Sequence, residues 1–157
     1  MSDIFVKIDG ISGESRDMAH RGEIEVSSWR WKMSQPSGML SGAGGGAAKA
    51  TINDLEFVHQ IDRASPNLMR YCLTGRHIPK VVLTMRKAGG IPIDFLIITM
   101  SNVVITHVEP IVVGEGYYEH VKLSFSRVQQ EYSLQDIRGG NAGAVTANFD
   151  IRENSER

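Results

Sequence analysis

The stretch Ala64-Ser65-Pro66-Asn67-Leu68-Met69-Arg70-Tyr71-Cys72-Leu73-Thr74-Gly75 sets the terms for the rest of the chain. It combines a helix start, an amphipathic body and a helix stop. The Ser65 hydroxyl is expected to cap the first turn. Pro66 suits the first helical position, where no backbone N–H is needed, and Gly75 can take the left-handed conformation that ends a helix. At about 100° per residue, Leu68, Met69, Cys72 and Leu73 share one arc, expected to face the core, opposite Asn67, Arg70, Tyr71 and Thr74. A helix over about residues 66–74 is too short to persist alone in water. It must lie on an apolar surface, and nearly everything around it has the two-residue period of strands. The expected fold is therefore mainly β: a β-barrel of two packed antiparallel sheets with one flanking α-helix and an extended Gly-rich loop.

The strand patterns follow in order. Ile4, Val6 and Ile8 alternate with Phe5, Lys7 and Asp9. From Glu23 to Gln35 the apolar positions are Ile24 and Val26, then Trp29, Trp31 and Met33. The parity switches between Val26 and Trp29, so a β-bulge near Ser27-Ser28 is predicted, which returns both sets to one face. Leu55 and Phe57 mark a strand within 51–61. Val81, Leu83 and Met85 face inward against Lys80, Thr84 and Arg86 in another. Residues 93–108 are apolar on both faces at Phe95-Leu96-Ile97-Ile98, which calls for a second cover beyond one barrel core, and Ser101-Asn102 marks a bend. Tyr117, Val121, Leu123 and Phe125 alternate with Tyr118, His120, Lys122, Ser124 and Ser126 in the cleanest amphipathic strand, and Thr146 to Arg152 forms a last short one.

The 157 residues fit a single domain, 1–157, with a loop over about 36–48 whose run of Gly and Ala lies between strands of that same domain. A net charge of −1 gives no electrostatic drive toward nucleic acid or an anionic membrane. No apolar run is long enough for membrane insertion, and the first residues lack a signal-peptide core. One cysteine, Cys72, excludes an internal disulfide.

The search for chemistry yields no catalytic residue, no cofactor site and no metal site. Gly42-Ala43-Gly44-Gly45-Gly46-Ala47 fits a loose dinucleotide pattern, but no helix follows to receive a phosphate. His20, His59, His77, His107 and His120 never fall two or four residues apart, so no local pair of ligands exists, and each is expected at the surface. Cys72 on the apolar arc reads as an inert thiol. Trp29 and Trp31 read as core packing rather than as a stacking platform.

A wider pattern joins these pieces. Ile61-Asp62-Arg63-Ala64-Ser65-Pro66-Asn67-Leu68, then Cys72, Gly75 and Lys87-Ala88-Gly89-Gly90, resembles the signature of the Hcp family, the haemolysin-coregulated tube proteins of bacterial type VI secretion systems. Phe5-Val6-Lys7-Ile8, Gly13-Glu14-Ser15, Trp29-Arg30-Trp31-Lys32-Met33-Ser34-Gln35, Leu96-Ile97-Ile98-Thr99 and Val121-Lys122-Leu123-Ser124-Phe125 extend it over nearly the whole chain. The resemblance implies a homohexameric ring, rings stacked into a hollow tube, and a tube related to those of contractile phage tails. Its implied partners are a contractile sheath, a spike trimer, baseplate proteins and effector proteins carried in the lumen. The implied route is assembly in the bacterial cytoplasm followed by secretion without a signal peptide.

Two functional readings follow, a self-assembling structural subunit and, as the alternative, a monomeric β-barrel binding a small ligand. Under the first, Ser28, Arg30 and Lys32 point away from the barrel core and are candidates to line the lumen as a basic belt. Met39 and Leu40, with Gly42, Gly44, Gly45 and Gly46, form a candidate ring-stacking loop, because bare apolar residues at a glycine-rich tip suit docking.

Overall fold

Alternation along the strands decides which side chains meet. The computed structural model describes residues 2–36, 49–87, 92–135 and 141–156. Its elements are β1 (Ser2–Ile8), β2 (Ile24–Arg30), β3 (Met33–Ser34), β4 (Thr51–Ile52), β5 (Leu55–Gln60), α1 (Ser65–Thr74), β6 (Ile78–Lys87), β7 (Ile93–Val113), β8 (Gly116–Gln135) and β9 (Asn141–Asp150). The main sheet runs β5-β2-β1-β6-β7-β8-β9, and a further pairing of β5 with β8 closes it into a six-stranded barrel with β9 appended. All pairings are antiparallel. Inward positions of every barrel strand fill the interior: Val6, Ile24, Phe57, Leu83, Ile98 and Leu123 are fully buried there.

The predicted bulge is present, as the β2–β5 register shifts between Val26 and Ser28. The expected continuous strand over 23–35 is divided. Trp31 and Lys32 separate β2 from β3, which pairs only with β4 in a two-stranded sheet outside the barrel. Both indoles pack against the core and satisfy their N–H groups, Trp29 donating to Met85 Sδ at 3.2 Å and Trp31 to the Asn53 carbonyl at 2.9 Å. At Ser101-Asn102, where a bend is expected, β7 runs on unbroken, with a positive φ of 54° at Asn102.

The helix forms where expected, with its start and its rotation changed. Ala64, not Ser65, is the N-cap, and no side chain caps it. Ser65 Oγ instead accepts from the Asp62 N–H, while Asp62 Oδ1 accepts from the Ala64 N–H. Gly75 stops the helix at φ 63°, as predicted. Leu68 and Tyr71 are buried, whereas Met69 and Leu73 are 54% and 77% exposed. The buried arc is therefore centred on Ala64, Leu68 and Tyr71, and Tyr71 faces inward rather than to solvent.

A second layer covers β1 and β6 on their outer side. Residues 10–22 fold back as a loop tied to itself and to Glu23, the residue before β2, by backbone bonds, among them Gly13 N–H to Gly22 O at 2.8 Å and Ser15 N–H to Glu23 O at 2.9 Å. A Cβ on Gly13 would sit 2.6 Å from the Glu23 carbonyl oxygen, so only glycine allows this approach. Thr84 and Arg86, which alternate with the inward residues of β6, are buried as well. Arg86 donates to Asp17 at 2.6 and 2.8 Å and to Asp3 at 2.9 Å, and lies over the Phe5 ring. His20 stacks on the same ring at 4.3 Å between centroids.

Candidate functional site

The outer face of β2, β5, β8 and β7 gathers charged and imidazole side chains. Glu56 lies between the inward residues Leu55 and Phe57, and His120 lies between the inward residues Glu119 and Val121, so both point outward. A register shift between Ile105 and His107 puts His107 opposite Lys122 and Glu109 opposite His120. Arg30 pairs in register with Glu56 and donates to Glu56 Oε1 at 3.2 Å. His120 Nε2 lies 2.8 Å from the same oxygen. On its other side, His120 Nδ1 is 3.8 Å from Glu109 Oε1, and His107 Nε2 is 3.1 Å from that atom. The two imidazole rings meet edge to face at 5.4 Å. Burial pushes the Glu56 carboxyl up, but hydrogen bonds from Arg30 and His120 outweigh it and hold the group below the ordinary range. His107 does the same for Glu109.

Ser28, Arg30 and Lys32 are exposed; Ser28 and Arg30 flank the core-packed Trp29 on β2, and Lys32 lies just beyond that strand. Arg30 is an ion-paired group rather than a free cation, so the belt assigned to it is not purely basic. Met39, Leu40, Gly42, Gly44, Gly45 and Gly46 lie outside the described residues. Cys72 is a half-buried free thiol.

Two of the five histidines are not at the surface. His20 is buried between Glu23, at 3.0 Å, and Asp94, at 3.1 Å. Burial pushes its imidazole down, yet the hydrogen bonds to Asp94 and Glu23 together raise it above the ordinary value. His59 is fully buried near the end of β5, with Nε2 2.9 Å from Glu119 Oε1 and Nδ1 3.8 Å from Asp62. Burial raises the Asp62 carboxyl. Glu119 shares the parity of Val121 and Leu123, and its carboxylate is carried inside for that reason. The signal that could have marked the outer cluster is the His107-x-Glu109 spacing on a strand, which puts two ligand-type side chains on one face.

Alongside α1 runs a groove bounded by Ile61, Met69, Cys72 and Leu73 on one side and by Val108 and Pro110 of β7 on the other. The helix thus flanks the late part of β7. Phe95 and Ile97, at the opposite end of that strand, are half-buried.

Known proteins share this fold and sequence. The family model described as type VI secretion system effector, Hcp, matches residues 5–132. Protein hcp1 of Pseudomonas aeruginosa is 42% identical over 156 residues, covering 97% of this chain and 96% of that protein. The crystal structure of Hcp1 from Salmonella typhimurium is 45% identical and superposes with a TM-score of 0.82 over 99% of each chain. A type VI secretion system effector from Yersinia pestis is 38% identical with a TM-score of 0.80, over 95% of this chain and all of that one. With the barrel, the flanking helix and the sequence in agreement, the chain belongs to the Hcp family of type VI secretion proteins.

Proposed function

We propose that the chain is a structural subunit that closes into hexameric rings, which stack into a hollow tube that carries effector proteins and is itself secreted. The observation that carries this reading is exposed apolar surface on a chain whose core is already filled. Met69, Leu73, Val112, Val113, Tyr117 and Val145 are all more than half exposed. The ligand-carrier alternative is poorly supported. An eight-stranded barrel is just wide enough to be filled by side chains, and this six-stranded one holds Phe57, Met100, Leu55, Leu83 and Leu123 at its centre. In the tube, the face bearing Ser28, Arg30 and Lys32 lines the lumen, presenting Arg30–Glu56 pairs that suit hydrogen-bonding cargo. Residues 36–48 dock one ring on the next through Met39 and Leu40. Sheath, spike and baseplate proteins complete the machine, which is assembled in the cytoplasm.

Light scattering with electron microscopy tests the assembly. Rings are expected at several times the subunit mass of 17.3 kDa, and a monodisperse monomer at micromolar concentration overturns the reading. Asp at Met39 and Leu40 is expected to leave rings but abolish tubes. Arg30→Ala is expected to keep rings and change the cargo that co-purifies.

A further inference from the structure

We propose that His107, Glu109 and His120 form a binding site for a divalent transition cation of the zinc class, with Glu56 as the residue that orients His120. The site is built across two neighbouring strands. Each of the three residues offers one ligand atom, and those atoms lie within 4.8 Å of one another. Glu109 Oε1 is the hub, 3.1 Å from His107 Nε2 and 3.8 Å from His120 Nδ1. A tetrahedral ion with bonds of about 2.0–2.1 Å holds its ligands about 3.3 Å apart, so small rotations of outward side chains suffice to close the set.

The arrangement of His120 supports ligation beyond mere proximity. Its Nε2 faces Glu56 Oε1 at 2.8 Å. A carboxylate there accepts the Nε2–H and leaves the lone pair on Nδ1, aimed at the Glu109 side. Histidine ligands of metals characteristically donate their second ring nitrogen to a carboxylate in this way. Glu56 is in turn held by Arg30, so orientation passes from β2 through β5 to β8. Two imidazoles and one carboxylate favour zinc-like ions over magnesium or calcium, which prefer all-oxygen sites. Three protein ligands leave a fourth position for water. The proposal does not depend on ring assembly, since every group belongs to one chain.

The test uses the full chain with ZnCl2 and with CoCl2. Competition against a chromogenic chelator is expected to show saturable binding of one zinc per chain. Glu56→Gln is expected to weaken it by about 10- to 100-fold, and His107→Ala, His120→Ala and the isosteric Glu109→Gln by more than that. His77→Ala, on a different part of the surface, is expected to change nothing. Cobalt is expected to give the visible bands of a low-coordinate site in the unsubstituted chain and to lose them in the three ligand variants. Absence of one-to-one binding overturns the proposal. So does zinc affinity in His107→Ala and His120→Ala equal to that of the unsubstituted chain, which would assign the ion to other surface groups.

Discussion

Single residues carry the most consequential departures from simple alternation. Glu119 sits where the pattern of β8 calls for an apolar side chain, and its burial is tolerable because His59 meets it at 2.9 Å. Glu119→Leu removes the partner of a fully buried ring nitrogen, and a buried polar group left unpaired costs about 1–3 kcal/mol. Urea denaturation should show a loss of that size, while Glu119→Gln, which keeps an oxygen acceptor, should lose less. Two other residues set opposite pH limits on stability. Arg86 beside Asp17 holds that carboxyl down to about 2, below the about 3.9 of an unfolded aspartate. The contribution of Asp17 is therefore present above about pH 4 and disappears as pH falls toward 2. His20 has the opposite sign. Its pKa is raised by Asp94 and Glu23 against the effect of burial, so its contribution is full below about pH 6.5 and is lost as pH rises through the folded value. Melting temperatures across pH should show Asp17→Asn flattening the acid limb and His20→Gln flattening the neutral one. The long-range pairings among these could not be read in sequence. His59 and Glu119, or His107 and His120, are brought together by strand register, and register is set by the whole barrel rather than by local spacing.

At the scale of elements, period-two alternation located the barrel strands, and the parity switch located the β2 bulge. Both are local consequences of side chains pointing to opposite faces. The helix shows where that locality ends. Hydrophobicity favoured an arc through Met69 and Leu73, but a helix rotates to suit what it lies on. Here the Tyr71 ring is buried with its hydroxyl against Gly10, and Leu68 is fully covered. Leu68→Ala should accordingly cost about 2–5 kcal/mol in the unfolding free energy, whereas Leu73→Ala should stay within about 0.5 kcal/mol in the dissociated chain. Similar losses for the two would mean that the helix is seated on the arc read from hydrophobicity. The polar face of β6 shows a related limit. Alternation correctly turned Thr84 and Arg86 away from the barrel interior, but a polar, glycine-containing segment of 10–22 gives no periodic sign that it will cover them.

Among the described residues, two groups of exposed apolar side chains lie toward opposite ends of the β7–β8 pair. β7 and β8 are 21 and 20 residues long, about 70 Å if fully extended at 3.3 Å per residue, far more than one barrel wall requires. Toward one end, Met69 and Leu73 of α1 adjoin Val108 and Pro110 of β7, and the strand runs on to exposed Val112 and Val113. Toward the other, Tyr132, Leu134 and Val145 of the β8–β9 pair are exposed. Two different apolar patches on one chain suit a head-to-tail contact, in which each copy offers one patch to each neighbour, and such contacts close into rings when the rotation permits. The prediction concerns complementation. Leu73→Asp and Val145→Asp should each prevent ring closure while leaving the barrel folded, because both side chains are exposed in the single chain. Mixed together, the two variants still possess one intact pair of patches, the Val145 side of the first against the Leu73 side of the second. Light scattering of the mixture should therefore find a heterodimer and nothing larger. Intact rings from either variant alone would remove that patch from the interface. A mixture that stays monomeric would show that the two patches do not meet each other.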